Sequence, residues 1–266
     1  MESLNKTVKY FVFDINRQRR RKGMEFGVIA FLSTLIGAIV GVGGGLIIRP
    51  MLGFFDVAKG LASFSSAACV FCMGVVSLAT TVRKGAKIQL RETVVLAAGS
   101  ICGAFIGGAC IKFVSGEFIK IGYIFAMVFV LICMAARKRM PRIKLKNPLL
   151  QFLTGIVTGG LSGFFGIGGG PFQMTALLVL FDLEPKEAAV QSIFITLLTT
   201  VSSLIQYAVS GYWDFSLALY MIPMAVLGGF IGGLLNRQFN NKYVSVIFNA
   251  TVIFIILMQV YSVFLR

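Results

Sequence analysis

Long apolar runs separated by short polar segments dominate the chain. Uncharged stretches long enough for a membrane span recur, for example 93–111, 188–209, 215–235 and 244–265. A helix needs about 20 apolar residues to cross a bilayer. The pattern therefore predicts an all-α integral membrane protein with about eight transmembrane helices. The predicted spans cover approximately 26–49, 58–82, 92–112, 117–136, 149–170, 186–209, 214–235 and 243–265.

Two of these spans contain a glycine cluster. Gly41-Val42-Gly43-Gly44-Gly45 is followed 125 residues later by Gly166-Ile167-Gly168-Gly169-Gly170. Glycine is a poor helix former, and a bilayer tolerates broken backbone only where protein or a polar cavity surrounds it. Broken helices at corresponding places in two halves are typical of a transporter's substrate site. The alternative is that these glycines only allow helices to pack closely.

Further glycines repeat at the same offset. Gly103, Gly107 and Gly108 correspond to Gly228, Gly232 and Gly233, and here close helix packing is the favoured interpretation. The repeat predicts two four-helix halves with discontinuous, glycine-broken helices. The predicted domains are a basic cytoplasmic tail (1–23), a first repeat (24–136), a basic cytoplasmic linker (137–148) and a second repeat (149–266).

The net charge of +15 is explained by topology, because cytoplasmic loops of membrane proteins collect lysine and arginine. No nucleic-acid partner is expected. If all eight spans cross fully and the N-terminus is cytoplasmic, 18 lysines and arginines lie inside and six lie outside. The six are Lys59, Lys112, Lys120, Lys186, Arg237 and Lys242.

This split favours parallel halves in the cell membrane, with both termini cytoplasmic. A rival count makes each glycine segment a re-entrant hairpin, so that each half has three full spans and the halves are inverted. The charges oppose that count, because it places the loops 83–91 and 137–146 outside.

Ionisable residues indicate the sign of the ligand. The chain has no histidine, and its ten acids lie in tails, in loops or at span ends. A proton relay, a metal site or an enzyme's acid–base pair is hard to build from this set, so we expect no enzyme, cofactor or metal. The five cysteines fall inside predicted helices and are expected to pack rather than form disulfides. Arg49, just after the first cluster, is either an anion contact or a residue that snorkels to the interface.

A broken helix can serve either sign of charge, since the start of a resumed helix suits anions and the carbonyls of the ended helix suit cations. The absence of acids within the spans favours an anion. Neutral polar side chains near the breaks can donate hydrogen bonds to it. The candidate substrate-binding residues are Gly43, Gly44, Gly45, Arg49, Ser65, Gly168, Gly169, Gly170, Gln173, Gln191 and Ser192.

From about Gly27 onward the chain resembles the sulfite exporter TauE/SafE family. The resemblance rests on Gly-x-Gly-Gly-Gly early in each half, a following Ala-x-x-Ser region and a basic central loop. The resemblance implies transport of sulfite or organosulfonates. It also implies that the family's motif glycines correspond to the glycines of the two clusters. Two features depart from the family pattern: Arg49 replaces an apolar residue, and Pro171 directly follows the second cluster, with Thr175 at the usual proline position.

The sequence thus predicts a secondary transporter of small anions, which works by alternating access between two repeats. Its expected partners are the anionic substrate and the lipid bilayer, and a homodimer is a further option. The alternatives are a transporter of another small organic anion, such as a carboxylate, and a membrane scaffold that transports nothing.

Overall fold

The computed structural model of the protein describes residues 24–86, 88, 90–137 and 144–264. The predicted tail 1–23, residues 138–143 of the predicted linker and the last two residues lie outside this part. The described residues form ten α-helices and a short 3-10 helix, Ile111–Phe113. The α-helices are α1 Met24–Val40, α2 Gly45–Phe54, α3 Lys59–Arg83, α4 Leu90–Cys110, α5 Gly116–Ala136, α6 Pro148–Phe165, α7 Gly170–Leu180, α8 Pro185–Val209, α9 Ala218–Asn236 and α10 Asn241–Phe264.

Seven of the described helices, α3 to α6 and α8 to α10, are long and apolar enough to cross a bilayer. Large apolar side chains such as Phe125, Phe129 and Leu257 remain exposed on the outside of the bundle. Exposed apolar surface on this scale marks contact with a membrane. The prediction of an all-α integral membrane protein is confirmed.

Two lysines identify the two ends of the bundle. Lys59, at the start of α3, donates from Nζ to the Val114 carbonyl beyond the end of α4, at 2.6 Å. Lys186, at the start of α8, donates from Nζ to the Arg237 carbonyl beyond the end of α9, at 2.8 Å. We call these the Lys59 end and the Lys186 end. Helices α3, α5 and α9 run from the Lys59 end to the Lys186 end, and α4, α8 and α10 run the other way.

Helices α1 and α2 form a hairpin that returns to the end where it began. Gly27, in the first turn of α1, packs against Tyr220 in the first turn of α9. At the other extreme of this pair, Asn236 Nδ2 donates to the Ile39 carbonyl at 2.5 Å. Helix α1 therefore runs alongside α9 toward the Lys186 end. Helix α2 turns back, because it ends at Phe54 and α3 begins at Lys59.

Helices α6 and α7 form the corresponding hairpin from the opposite end. The Leu145 backbone N–H donates to the Leu180 carbonyl at the end of α7, at 2.9 Å. The Leu145 carbonyl accepts from Gln151 Nε2 in the first turn of α6, at 2.8 Å. The start of α6 and the end of α7 therefore meet at the Lys186 end. Between them α6 runs alongside α4, against which it packs closely.

The parallel arrangement predicted from the charges is wrong, and the rival inverted arrangement matches the structure. The prediction assumed that the segments 26–49 and 149–170 cross the membrane completely. Instead, each consists of a long arm that ends at its glycine cluster and a half-length helix that turns back. The first hairpin starts at the Lys59 end and the second at the Lys186 end, so the two halves have opposite orientations.

Special backbone conformations recur in the two halves. Left-handed φ angles occur at Gly43 (67°) and Gly168 (78°), and at Asp56 (56°) and Asp182 (52°). The members of each pair are separated by 125 or 126 positions. Because the backbone makes the same unusual turns at corresponding places, the two halves have the same local design.

The packing role predicted for the other glycines agrees with the structure. A Cβ atom on Gly103 or Gly107 of α4 would overlap the Ile156 or Gly160 carbonyl of α6. In the other half, a Cβ on Gly232 of α9 would meet the Leu35 carbonyl of α1 at 2.5 Å. Close backbone approach through small residues is a common form of helix association in membranes. The long arm of each hairpin is therefore fixed against a full-length helix of the other half.

Candidate functional site

The two glycine clusters meet in the middle of the bundle. A Cβ atom on Gly45 would overlap the Ile167 carbonyl oxygen, and a Cβ on Gly170 would overlap the Val42 carbonyl oxygen. These contacts are reciprocal, since each half-helix begins against the broken backbone of the other hairpin. Val70, near the centre of α3, lies beside both clusters. We call this meeting point the crossing.

Both half-helices start at the crossing and run away from it. Helix α2 begins at Gly45 and leads to the Lys59 end, whereas α7 begins at Gly170 and leads to the Lys186 end. The start of a helix carries unpaired N–H groups and a partial positive charge. Two such starts converge on one buried place, and this arrangement favours an anion there.

Arg49 lies in α2, one turn from its start. It is buried, with 8 % of its surface exposed, so its guanidinium does not snorkel to the lipid interface. Its Nε donates to the Ser63 hydroxyl at 2.9 Å. Serine is a neutral acceptor, and a buried cation without a paired anion is unfavourable in a membrane. The described residues therefore leave the charge of Arg49 to be balanced by another group.

A cavity of about 300 Å³ connects Arg49 with the Lys59 end of the bundle. Its inner wall includes Arg49 and Tyr123, whose hydroxyl donates to the Leu46 carbonyl at 3.0 Å. Nearer its mouth, the cavity is lined by charges of both signs. These are Lys59, Lys120, Asp56 and Glu117.

A second cavity, of about 520 Å³, lies at the Lys186 end. Its lining also carries both signs of charge, with Glu184 and Glu187 beside Lys186 and Arg237. Its described lining contains no buried arginine, unlike the lining of the Arg49 cavity. The two cavities open at opposite ends of the bundle, and the site is therefore chemically asymmetric.

Ser65 does not face the crossing. Val70 of α3 contacts the glycine clusters, and Ser65 lies about 140° away around that helix. Ser63 and Ser66 lie on nearly the same face of α3 as Val70. Ser63 also packs against Gly166. Ser63, which holds Arg49, and Ser66 therefore lie nearer the crossing than the predicted Ser65 does. The hydroxyls of Ser65 and Ser66 are both buried without a partner among the described residues.

Gln173 lies beside the crossing and is held by two threonines of α8. Its Nε2 donates to the Thr199 hydroxyl at 2.9 Å, and its Oε1 accepts from the Thr196 hydroxyl at 2.7 Å. Thr200, one turn further along, donates to the Thr196 carbonyl at 2.5 Å, and its hydroxyl oxygen lies 3.4 Å from the Gly168 carbonyl oxygen. This group of side chains joins the broken backbone of the second hairpin to α8.

The other predicted residues of α8 have different positions. Ser192 lies at the crossing, where its hydroxyl donates to the Gly170 carbonyl at 3.3 Å. Gln191 accepts a hydrogen bond from the Thr93 hydroxyl at 2.9 Å, and so it joins α8 to α4 rather than facing the glycine clusters. The site prediction also missed Tyr123, because nothing in the sequence of α5 links that residue to a cavity.

The family model for the sulfite exporter TauE/SafE matches residues 26–258. The chain belongs to the sulfite exporter TauE/SafE family. Its relatives include the probable membrane transporter protein YunE of Bacillus subtilis, 27 % identical over 256 residues, with 86 % of this chain and 93 % of YunE covered. A probable membrane transporter protein of Methanocaldococcus jannaschii is 23 % identical over 241 residues, covering 84 % and 90 %. No solved structure matches the chain.

The TauE/SafE match spans both hairpins, the crossing and Arg49. The curated relatives carry the name of membrane transporters, which agrees with the prediction of transport. In the part of the chain that the structure describes, no three histidine, cysteine or acidic side chains are grouped as metal ligands.

Proposed function

We propose that this TauE/SafE protein is a secondary transporter of small anions, with sulfur oxyanions and organosulfonates as its substrates. The observation that carries the proposal is Arg49, a buried guanidinium whose hydrogen-bond partner is the neutral Ser63 and which borders an open cavity. A transported anion is the group that balances its charge.

The chemistry of Arg49 favours one class of anion. A guanidinium presents its donors as a planar fork, which matches two oxygens bound to one atom. Nε is occupied by Ser63, so the terminal nitrogens remain for the ligand. Sulfite, sulfonates and carboxylates all offer such an oxygen pair, whereas halides do not. The cavity of about 300 Å³ also leaves room for a small organic body beside Tyr123.

The opposite orientation of the halves supports alternating access. The long arms α1 and α6 are packed tightly against α9 and α4, whereas α2 and α7 end in loops that border the two cavities. In our proposal the halves are inverted repeats in the cell membrane, with both termini on the cytoplasmic side. Small movements of the half-helices then connect the crossing to one cavity or the other.

The first experiment tests Arg49 in purified protein. Sulfite, thiosulfate, an alkyl sulfonate and acetate are screened for thermal stabilisation, and any anion that stabilises the protein is then tested for flux in liposomes. A ligand that binds only the folded state raises the melting temperature. Loss of a charge-assisted hydrogen bond of about 1.5–3 kcal/mol should weaken binding at least about tenfold in Arg49→Met.

Two further variants serve as controls. Lys144→Met removes the same charge from an exposed position and should bind anions normally. Arg49→Lys keeps the charge but lacks the fork, so its binding should be intermediate. Anion binding that is unchanged in Arg49→Met would contradict the proposal, as would flux without any saturable anion binding.

A further inference from the structure

The hydroxyl groups of the two halves offer different chemistry to the crossing. A hydroxyl has one hydrogen to donate and two lone pairs to accept. In α3, Ser66 has no described partner, and Ser63 accepts from Arg49, so the hydrogens of both are available. The first half therefore presents hydrogen-bond donors, as an anion requires.

In the second half the hydrogens of the three threonine hydroxyls nearest Gln173 and Gly168 are already in use. Thr196 donates to Gln173 Oε1 at 2.7 Å. Thr200 donates to the Thr196 carbonyl at 2.5 Å, which leaves its oxygen facing the Gly168 carbonyl oxygen at 3.4 Å. Thr199 donates to the Ile195 carbonyl at 2.8 Å. What these groups still offer is lone pairs. This part of the second half therefore presents acceptors, which suit a cation.

Two oxygen pairs on neighbouring turns of α8 make up this acceptor cluster: Gln173 Oε1 with the Thr196 hydroxyl, and the Gly168 carbonyl with the Thr200 hydroxyl. The three side chains are buried, each with 1 % or less of its surface exposed. The Gly168 carbonyl belongs to the broken backbone just after α6, where the end of a helix carries a partial negative charge. In transporters, carbonyls of unwound backbone coordinate sodium ions.

We infer that Gly168, Gln173, Thr196 and Thr200 form a binding site for a monovalent cation such as sodium. The ligands are neutral oxygens, whereas protein sites for divalent calcium or magnesium rely on carboxylates. When the ion binds, the Thr196 hydroxyl hydrogen turns away from Gln173 Oε1. Both oxygens then direct lone pairs at the cation.

The role of this ion rests on the proposed transport function, although its binding does not. A sodium ion beside the crossing neutralises the charge of an anion bound at Arg49. Moving one net charge against the membrane potential requires work. The ion pair avoids this cost, and a sodium gradient then determines in which direction the anion moves.

The test measures thermal stability of the purified protein without any organic anion. Sodium chloride, potassium chloride and choline chloride are compared at equal ionic strength. We expect the melting temperature to rise with sodium or potassium relative to choline, and to approach a plateau. Thr196→Val and Thr200→Val remove one ligand each and should abolish the rise. Two separate variants are used in case one fails to fold.

Thr81→Val is the matched control. Thr81 is also buried and donates to the carbonyl four residues before it, Ser77, at 2.7 Å, but it lies outside the cluster. Its melting temperature should respond to the cation as in the natural protein. Equal melting temperatures in all three salts, or a full response in both cluster variants, would overturn the inference. Arg49→Met separates the two proposals: it should lose the anion response and keep the cation response.

Discussion

At the scale of single residues, the glycines of the crossing serve two different purposes. Gly43 and Gly168 have φ angles of 67° and 78°, a region in which side chains with a Cβ are strained. Gly45 and Gly170 are instead needed for space, because a Cβ on either would overlap a carbonyl oxygen of the opposite hairpin. The sequence repeat located the clusters, but it did not distinguish these purposes.

Gly170→Ala should therefore destabilise the protein severely. The added methyl group meets the backbone of Val42, which cannot turn away as a flexible side chain could. Overpacking a buried site costs about 1–3 kcal/mol and sometimes more. We expect loss of the monomeric, folded fraction in detergent, measured by size-exclusion chromatography and thermal melting.

Gly116→Ala is the control for that substitution, since no atom lies within 4 Å of the added Cβ. Gly45→Ala should behave like Gly170→Ala, because the contact is reciprocal. A stable Gly170→Ala protein with the melting temperature of Gly116→Ala would contradict the close contact at the crossing.

The candidate site was only partly predictable at this scale. Arg49 and Gln173 could be named because they lie just after the glycine clusters in sequence, and Ser192 because it belongs to the Ala-x-x-Ser region that follows. The sequence could not indicate which of Ser63, Ser65 and Ser66 faces the crossing, because the rotation of a helix relative to its neighbours depends on tertiary packing. The direction of each hydroxyl hydrogen also depends on neighbours from other helices, and residue type alone does not reveal it.

At the scale of elements, hydropathy correctly indicated where membrane helices occur. It could not indicate that the clusters turn the chain back, because a hairpin with one long and one short arm is as apolar as a single span. Charge counting then gave the wrong topology, since it assumed full crossings. The glycine pairs at offset 125 showed that the two halves repeat. They could not show the relative orientation of the halves, because a repeat has the same sequence signature whether its copies are parallel or inverted.

The packing of α6 against α4 can be tested with adjacent glycines. A Cβ on Gly159 would overlap the Ser100 carbonyl, whereas a Cβ on Gly160 would lie 3.6 Å from the Gly103 carbonyl, an ordinary contact. Gly159→Ala should lower the melting temperature strongly. Gly160→Ala should leave it equal or raise it, because alanine favours a helix by about 1 kcal/mol over glycine. Similar effects of both substitutions on thermal melting would show that α6 is rotated relative to α4.

At the scale of the whole molecule, the inverted arrangement changes how the charges are distributed. Segments that join helices at the Lys186 end contain 13 lysines and arginines, and those at the Lys59 end, including both termini, contain 11. Arg49 stands apart. A difference this small provides little orienting signal, although the basic tail before α1 favours a cytoplasmic Lys59 end. The strong asymmetry counted from the sequence therefore disappears.

Single cysteines in a cysteine-free background distinguish the two arrangements. Gly116 at the start of α5 and Lys242 at the start of α10 are exposed, and parallel halves would place both on one side of the membrane. In the inverted structure they lie at opposite ends. We expect a membrane-impermeant thiol reagent to label Gly116→Cys and Lys242→Cys from opposite sides of sealed vesicles. Labelling of both from the same side would rule out a re-entrant α6–α7 hairpin, which is the hairpin that lies between these two positions.

The convergence of two helix starts has a consequence for folding. Without a ligand, the partial positive charges at Gly45 and Gly170 face each other and the full charge of Arg49, and like charges repel. These charges therefore repel one another at the centre of the bundle. In our proposal an anion that binds there also stabilises the fold, and newly made protein should mature more efficiently in cells that are well supplied with it.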